Sequence, residues 1–533
     1  MFTTITLSGR YREIDPQVTS LARAGSENFV FVDFYRRCAA ICDHGKVDHV
    51  LVAVESSFEC SSAAGLEEIR SQLMRVRNSG KELLLWSSDI SDTTLYLASA
   101  CNRRFMSPVG SLSNTGIASP SIYLRRLLDR LHVEVEIVRR GKFKSAAEGL
   151  RRQEMDEADR EQREAYLADV VSRRHQAVLD GYGKSVDALE ELLSGVTLDA
   201  AGAIERGWID EAVSLSDLRK RLKDDQKKEA KIKVRSHIGR GKRVAVLVFE
   251  GSIIDGRSRE LPLLGQSIGS SDFVGQIERL RKDKKVAAVV LRVNSGGGSA
   301  TASEEIRCAL AQLDREKPVI MSMGSTAASG GYWISATGRK LFALPGTLTG
   351  SIGAVSATIN ALRGFEEIGV TETTVKTHES ADRGTIFRAP TEADLADMER
   401  QIESTYQEFL SLVSRVRGKS ADEIDQVAQG RIWSGERAAG HGLIDELGGL
   451  HEAISEAQSQ AGLRRSRIVF GPSTKPGLVQ RILSKRLSPS SQPYAGLGSG
   501  ALRLLELTDP AVRRALSGTK VILPELLLEL PLN

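Results

Sequence analysis

Apolar runs alternate along this chain with amphipathic stretches, and the same alternation occurs twice. Val47-Asp-His-Val-Leu-Val-Ala-Val-Glu-Ser56 parallels Val286-Ala-Ala-Val-Val-Leu-Arg-Val-Asn-Ser295. Each is a continuous apolar run entering small polar residues, the pattern of a buried parallel strand that ends in a loop. Both lead into Glu-Glu-Ile-Arg, at 67–70 and 304–307, where a helix is expected to start. Second strands follow at Glu82–Trp86 and Pro318–Ser322. Tyr96-Leu-Ala-Ser-Ala100 then matches Tyr332-Trp-Ile-Ser-Ala336, and Gly207-Trp-Ile-Asp-Glu211 matches Gly442-Leu-Ile-Asp-Glu446. The offset stays between 235 and 239 over roughly 160 residues. Two α/β domains of one fold are therefore expected, with parallel sheets flanked by helices.

The joint is visible in the charge pattern. Asp217 to Arg243 carries 12 Lys/Arg against 4 Asp/Glu, a solvated linker helix rather than a nucleic-acid patch. The expected copies are 1–216 and 244–460, joined by a basic linker helix over 217–243. Residues 461–533 form a C-terminal extension belonging to neither copy. Within it Gly477–Leu487 reads as a short basic amphipathic helix, suited to packing on the protein or to peripheral contact with a membrane surface. Val521–Leu532 is apolar but broken by Pro524, Glu525 and Glu529, so it is suited to docking on another subunit.

Composition narrows the class. The chain has 533 residues, is 41% hydrophobic and 27% charged, and carries a net charge of +4, which argues against nucleic acid as a partner. No stretch approaches the ~18–20 uninterrupted apolar residues of a spanning helix. Met1–Asp15 lacks the layout of a secretory signal. A cytoplasmic or peripherally membrane-associated protein is the expectation. The five cysteines show no CxxC spacing; Cys38 and Cys42, one helical turn apart, read as buried small hydrophobes rather than metal ligands. No metal or organic cofactor is implied.

In open α/β domains, sites form where loops leave the C-terminal ends of strands. Two such loops of the second copy are rich in glycine. Asn294-Ser-Gly-Gly-Gly-Ser299 lacks the Gly-Lys-Ser/Thr ending of a P-loop, and its bare N–H groups suit a substrate oxygen. Ala328-Ser-Gly-Gly-Tyr-Trp333 brings Ser329 to an expected helix start. A serine nucleophile needs a base, and no histidine is near either loop in sequence. The first copy has Gly141-Lys-Phe-Lys-Ser-Ala146 after an apolar strand, where the second copy places Ala381 opposite Lys144. Conversely, Thr93 stands opposite Ser329. Each half lacks the group the other carries.

These runs, with Leu348-Thr-Gly-Ser-Ile-Gly353 and Gly430-Arg-Ile-Trp-Ser-Gly435, resemble the signal peptide peptidase A (protease IV) family in its long, duplicated form. The resemblance covers about residues 45–460. It implies two tandem Clp/crotonase-like domains and a serine endopeptidase using a Ser/Lys dyad on apolar peptides such as cleaved signal peptides. By position, Ser329 would be the nucleophile, Lys144 the general base, and Ser351 the residue that orients the lysine. The N–H groups of Gly297 and Gly330 would form the oxyanion hole. The lysine must be neutral to act, and burial between two domains favours that form; Arg139, Arg140 and Lys142 would push the same way if they approach it. A homo-oligomer is also implied. Two departures stand out. Gly296 stands where the family usually has proline, and the membrane anchor with which the family's long members usually begin is not visible here. The competing readings are a catalytically silent scaffold of the same fold and a crotonase-type acyl-CoA enzyme, which would need catalytic carboxylates by the loops.

Overall fold

The computed structural model describes residues 1–14, 28–226, 228–232, 241–261, 265–464 and 466–471. The first half builds a five-stranded parallel sheet in the order Phe2–Leu7, His49–Val54, Glu82–Ser87, Arg103–Met106, Glu211–Ala212. The second repeats it with Arg243–Glu250, Val286–Ser295, Val319–Ala328, Lys340–Ala343 and Glu446–Leu447. A small antiparallel pair accompanies each sheet: Ser111–Ser113 with Thr197–Asp199 as a separate pair in the first half, and Leu348–Gly350 with Ile432–Ser434 in the second, where Leu348–Gly350 also joins the main sheet along Val319–Ala328. Each half also has one long helix, Glu157–Tyr182 and Glu392–Arg417. The duplicated α/β architecture is thus the one the apolar runs predict. Strands such as His49–Val54 are buried at nearly every position because helices cover both faces of a parallel sheet.

The two halves share a core. Val50, Val52, Leu83 and Leu85 of the first sheet cluster with Val246, Ala288, Val290 and Ile320 of the second. The helices Ala63–Asn78 and Leu450–Gln460 supply Leu66, Ile69, Leu73, Ile454 and Ala457 to the same cluster. A second join is a strand pair: Glu134–Arg140 of the first half pairs antiparallel with Ala354–Asn360 of the second.

Within the shared core lies a charge cluster. Arg292 is 0% exposed, and its Nε and Nη2 donate to Glu13 at 3.2 and 3.0 Å. Glu68 Oε2 lies 2.9 Å from Nη2 as an ionic contact, while its Oε1 accepts from the Leu450 N–H at 2.7 Å. Arg292 Nη1 donates to Ser322 Oγ and Met323 O. Burial pushes the Glu68 carboxyl above its ordinary range. Cys38 is buried, and burial pushes its thiol up, as befits a core residue rather than a ligand.

Two sequence expectations change. Among the described residues of the basic linker the helix is Leu215–Gln226; residues 228–232 lie beside the start of the first strand, with Ala230 N–H donating to Phe2 O at 2.8 Å. The extension set apart at 461 contributes a strand, because Arg467–Phe470 pairs parallel with Arg243–Glu250 and covers the edge of the second sheet. The helix expected at 477–487 and the apolar end at 521–532 lie outside the described residues. Among the described residues, no helix is long and apolar enough to cross a membrane.

Replacing Arg292 by Met strands two buried carboxylates. Urea denaturation is expected to show a loss of about 3–5 kcal/mol. Adding Glu13→Gln and Glu68→Gln to that variant should restore a large part of it.

Candidate active site

Ser329 terminates the strand Val319–Ala328 and precedes the short helix Gly330–Ser335. Its backbone stands at φ +52°, ψ −122°, a conformation that costs a non-glycine residue of order 1–3 kcal/mol. Two hydrogen bonds hold it there. The Ser329 N–H donates to Gly350 O at 2.9 Å, and Ser329 O accepts from Trp333 N–H at 2.9 Å. The sharp turn lifts the hydroxyl off the sheet.

The two glycine loops meet at this turn. A side chain on Gly297, at φ +115°, would put its Cβ 2.7 Å from Gly330 N and 3.1 Å from Ser329 Oγ. A Cβ on Gly331 would sit 2.4 Å from Ser295 O. Glycine is required here by both space and φ. The Gly297 N–H is engaged, donating to Ser295 Oγ at 3.1 Å.

Lys144 arrives from the other half. It follows the strand Glu134–Arg140, whose pairing with Ala354–Asn360 aims the 141–147 loop at Ser329. The Phe143 N–H donates to Gln429 O at 2.8 Å. Gly430, at φ +72°, gives Lys144 room, since a Cβ there would meet the Lys144 Cβ at 2.6 Å. Lys144 is 3% exposed. Its Nζ donates to Ser329 Oγ at 2.9 Å, Ser351 Oγ at 2.9 Å and Ser351 O at 3.1 Å. Ser351 also has positive φ, +50°, and its N–H donates to Arg431 O at 2.7 Å.

The structure thus brings Ser329, Lys144, Ser351, Gly297 and Gly330 to one place. The counterparts at the other junction are bare: Ala381 lies exposed in a turn, and Thr93 sits within the helix Asp92–Ala98. The expected help from neighbouring cations is weakened by ion pairing. Arg139 spends its charge on Glu148 and donates to Lys144 O, while Arg140 pairs with Glu403. Glu148, buried, holds Arg151 and Arg152 as well. Two residues that sequence reading missed are Gln429 and Gln162. Gln429 was within reach, standing one position before a quoted motif; Gln162 carried no sequence signal.

Comparison with known proteins now decides the family. The model of "Peptidase family S49" matches residues 75–229 and 311–464, more than half the chain. The chain belongs to peptidase family S49. Similar S49-type sequences include "Protease 4" of Salmonella typhi, 33% identical over 429 residues, covering 77% of this chain and 68% of that protein. "Protease 4" of Haemophilus influenzae is 31% identical, covering 77% and 70%. "Serine protease SPPA, chloroplastic" of Arabidopsis thaliana is 29% identical, covering 86% and 69%. This S49 chain is accordingly a serine-type peptidase. Lys144 falls in the first matched region; Ser329, Gly330 and Ser351 fall in the second. Gly297 precedes the second region, so its place in the site rests on geometry.

Gly297→Ala should test that geometry. Peptidase turnover is expected to fall by about two orders of magnitude. Circular dichroism should stay unchanged, since the clash is confined to the turn.

Proposed function

We propose that this S49 peptidase is an endopeptidase working through a Ser/Lys dyad. Ser329 is the nucleophile, Lys144 the general base, and Ser351 the residue that orients the amine. The reading is carried by one observation: a buried lysine Nζ lies 2.9 Å from a serine Oγ held on a strained turn. With the amine neutral, its two N–H bonds are directed to Ser351 Oγ and Ser351 O, which leaves the lone pair for the Ser329 proton. As that proton moves to Nζ, Ser329 Oγ adds to the substrate carbonyl. The ammonium then protonates the departing amine as the C–N bond breaks. In the second half, Lys144 takes a proton from water, the resulting hydroxide attacks the ester, and Ser329 regains its proton.

The oxyanion of each tetrahedral step is assigned to the N–H groups of Gly297 and Gly330. Each such donor contributes roughly 3 kcal/mol in comparable proteases. The Gly297 N–H must leave Ser295 Oγ to do this, a small rotation of a hydroxyl acceptor. The substrates assigned are apolar peptides such as cleaved signal peptides, in line with the similar "Putative signal peptide peptidase SppA" of Enterococcus faecium.

A fluorophosphonate probe is expected to label the wild type, to fail on Ser329→Ala and to react far more slowly with Lys144→Ala. Normal labelling of the Ser329 variant would sink the assignment. Residues 244–460 alone should hydrolyse neither casein nor a leucine-rich peptide.

A homo-oligomer is part of the proposal, supported by the repeat itself. The helices Arg125–Arg130 and Leu362–Glu367 stand 237 residues apart, 362 − 125. Moving Glu134–Arg140 forward by that offset gives 371–377, and moving Ala354–Asn360 back gives 117–123. These two segments are the symmetry mates of the paired strands, yet both lack regular structure and 371–377 is exposed throughout. The pairing of Arg140 with Ala354 would recur as Thr377 opposite Ile117 of the next chain. Head-to-tail contacts of this kind build a ring when their rotation closes. Sedimentation should give a multiple of the 58.0 kDa chain, reduced when exposed Val375 and Ile122 are both changed to Asp, with probe labelling retained. An unchanged mass in that variant refutes this mode of assembly.

A further inference from the structure

We propose that Gln162 is a positioning residue that sets the distance between the Lys144 amine and Ser329. This rests on the dyad reading above. Gln162 lies on the helix Glu157–Tyr182, a long helix with few buried positions, and is itself 2% exposed. Its amide reaches both sides of the dyad. Nε2 lies 3.1 Å from Phe143 O and 3.1 Å from Ser145 Oγ, the residues on either side of Lys144. It also donates to Asp159 Oδ1 at 2.9 Å, and Asp159 in turn accepts from Ser145 Oγ at 2.7 Å. On its other side, Oε1 accepts from the Ile432 N–H at 3.0 Å.

Ile432 belongs to the second half and stands opposite Gly350 in the antiparallel pair. Gly350 O accepts from the Ser329 N–H, and Arg431 O accepts from the Ser351 N–H. One buried amide therefore ties the lysine loop of one half to the strand pair that fixes both serines of the other. The orientation of the amide is decided by its neighbours: a backbone carbonyl and a carboxylate require a donor on one side, and a backbone N–H requires an acceptor on the other.

The residues nearest to glutamine in size or chemistry fail this demand. Glutamate keeps the acceptor for Ile432 but presents an oxygen to Phe143 O and to Asp159. Leucine or methionine keeps the volume but abandons the polar groups on both sides. Asparagine is one methylene too short to span them. A displacement of the amine by about 1 Å costs on the order of a hundredfold in rate.

The test uses the full-length chain with Gln162→Met and Gln162→Glu, alone and combined with Lys144→Ala. Both single variants are expected to lose 30- to 100-fold in kcat on a peptide substrate and in the rate of fluorophosphonate labelling, a range set by that same sensitivity to misplacement. KM should stay within about twofold, and the acidic limb of the pH–rate profile should move, because the amine has lost its fixed surroundings. In the Lys144→Ala background the same changes should alter the residual labelling rate little. If Gln162→Met fails to fold, Gln162→Glu supplies the same comparison, since it keeps the bond to Ile432. Wild-type kcat and pH profile in a folded Gln162 variant overturn the proposal. So does an equal loss in the presence and absence of Lys144. Full activity of Lys144→Ala by itself would instead refute the dyad.

Discussion

Everything at the site depends on seven residues of one half lying antiparallel to seven of the other. The pairing of Glu134–Arg140 with Ala354–Asn360 is the only sheet among the described residues that draws a strand from each half. It carries Lys144 to within 2.9 Å of Ser329. Backbone hydrogen bonds suit this task because their register is discrete. A slip of one residue would turn every side chain to the opposite face and take the lysine loop away from the serine. The buried bonds from Phe143, Ser145 and Gln162 then refine a position that the strand pair has already set to within a few ångströms.

The shared core makes that pairing durable. Apolar side chains of both sheets pack together around the helices Ala63–Asn78 and Leu450–Gln460. Buried at the same junction, Arg292 faces Glu13 and Glu68. An ion cluster of this kind adds little net stability relative to an apolar replacement, because desolvation offsets the attraction. Its value is specificity. A guanidinium with two carboxylates tolerates one relative placement of the halves, whereas an apolar contact tolerates several.

The sequence made the repeated architecture legible, since apolar runs at a constant offset survive divergence. Ser329 and Lys144 were singled out because each has a counterpart that lacks the group, Thr93 and Ala381, and because the motifs around them resemble a known family; the structure brings the two side chains together. Ser351, Gly297 and Gly330 were placed by motif alone, and the geometry puts them beside the dyad. What escaped reading did so for different physical reasons. Gln162 acts through its amide on backbone groups 19 and 270 residues away, and nothing in a helix rich in Glu and Arg marks it out. The ion pairing of Arg139 with Glu148 was equally hidden, because charge in a sequence does not reveal its partner. The strand Arg467–Phe470 was missed because four residues are too few for a periodic signal.

Of the four non-glycine residues with positive φ among those described, three are Ser329, Ser351 and Gln429. Contacts from the first half reach all three directly: Ser329 and Ser351 through the Lys144 amine, and Gln429 through the Phe143 N–H. The backbone N–H groups of Ser329 and Ser351 are held within the second half, by Gly350 O and Arg431 O, so the two halves grip these residues together. Synthesis proceeds from the N-terminus, so the lysine emerges 185 residues ahead of the serine. For the proposed dyad this order means that a ribosome-bound chain carries the lysine well before the serine, and the strand pair Leu348–Gly350 with Ile432–Ser434, which holds the serine turn, forms later still. A site split between two copies is complete only once nearly the whole duplication has been made.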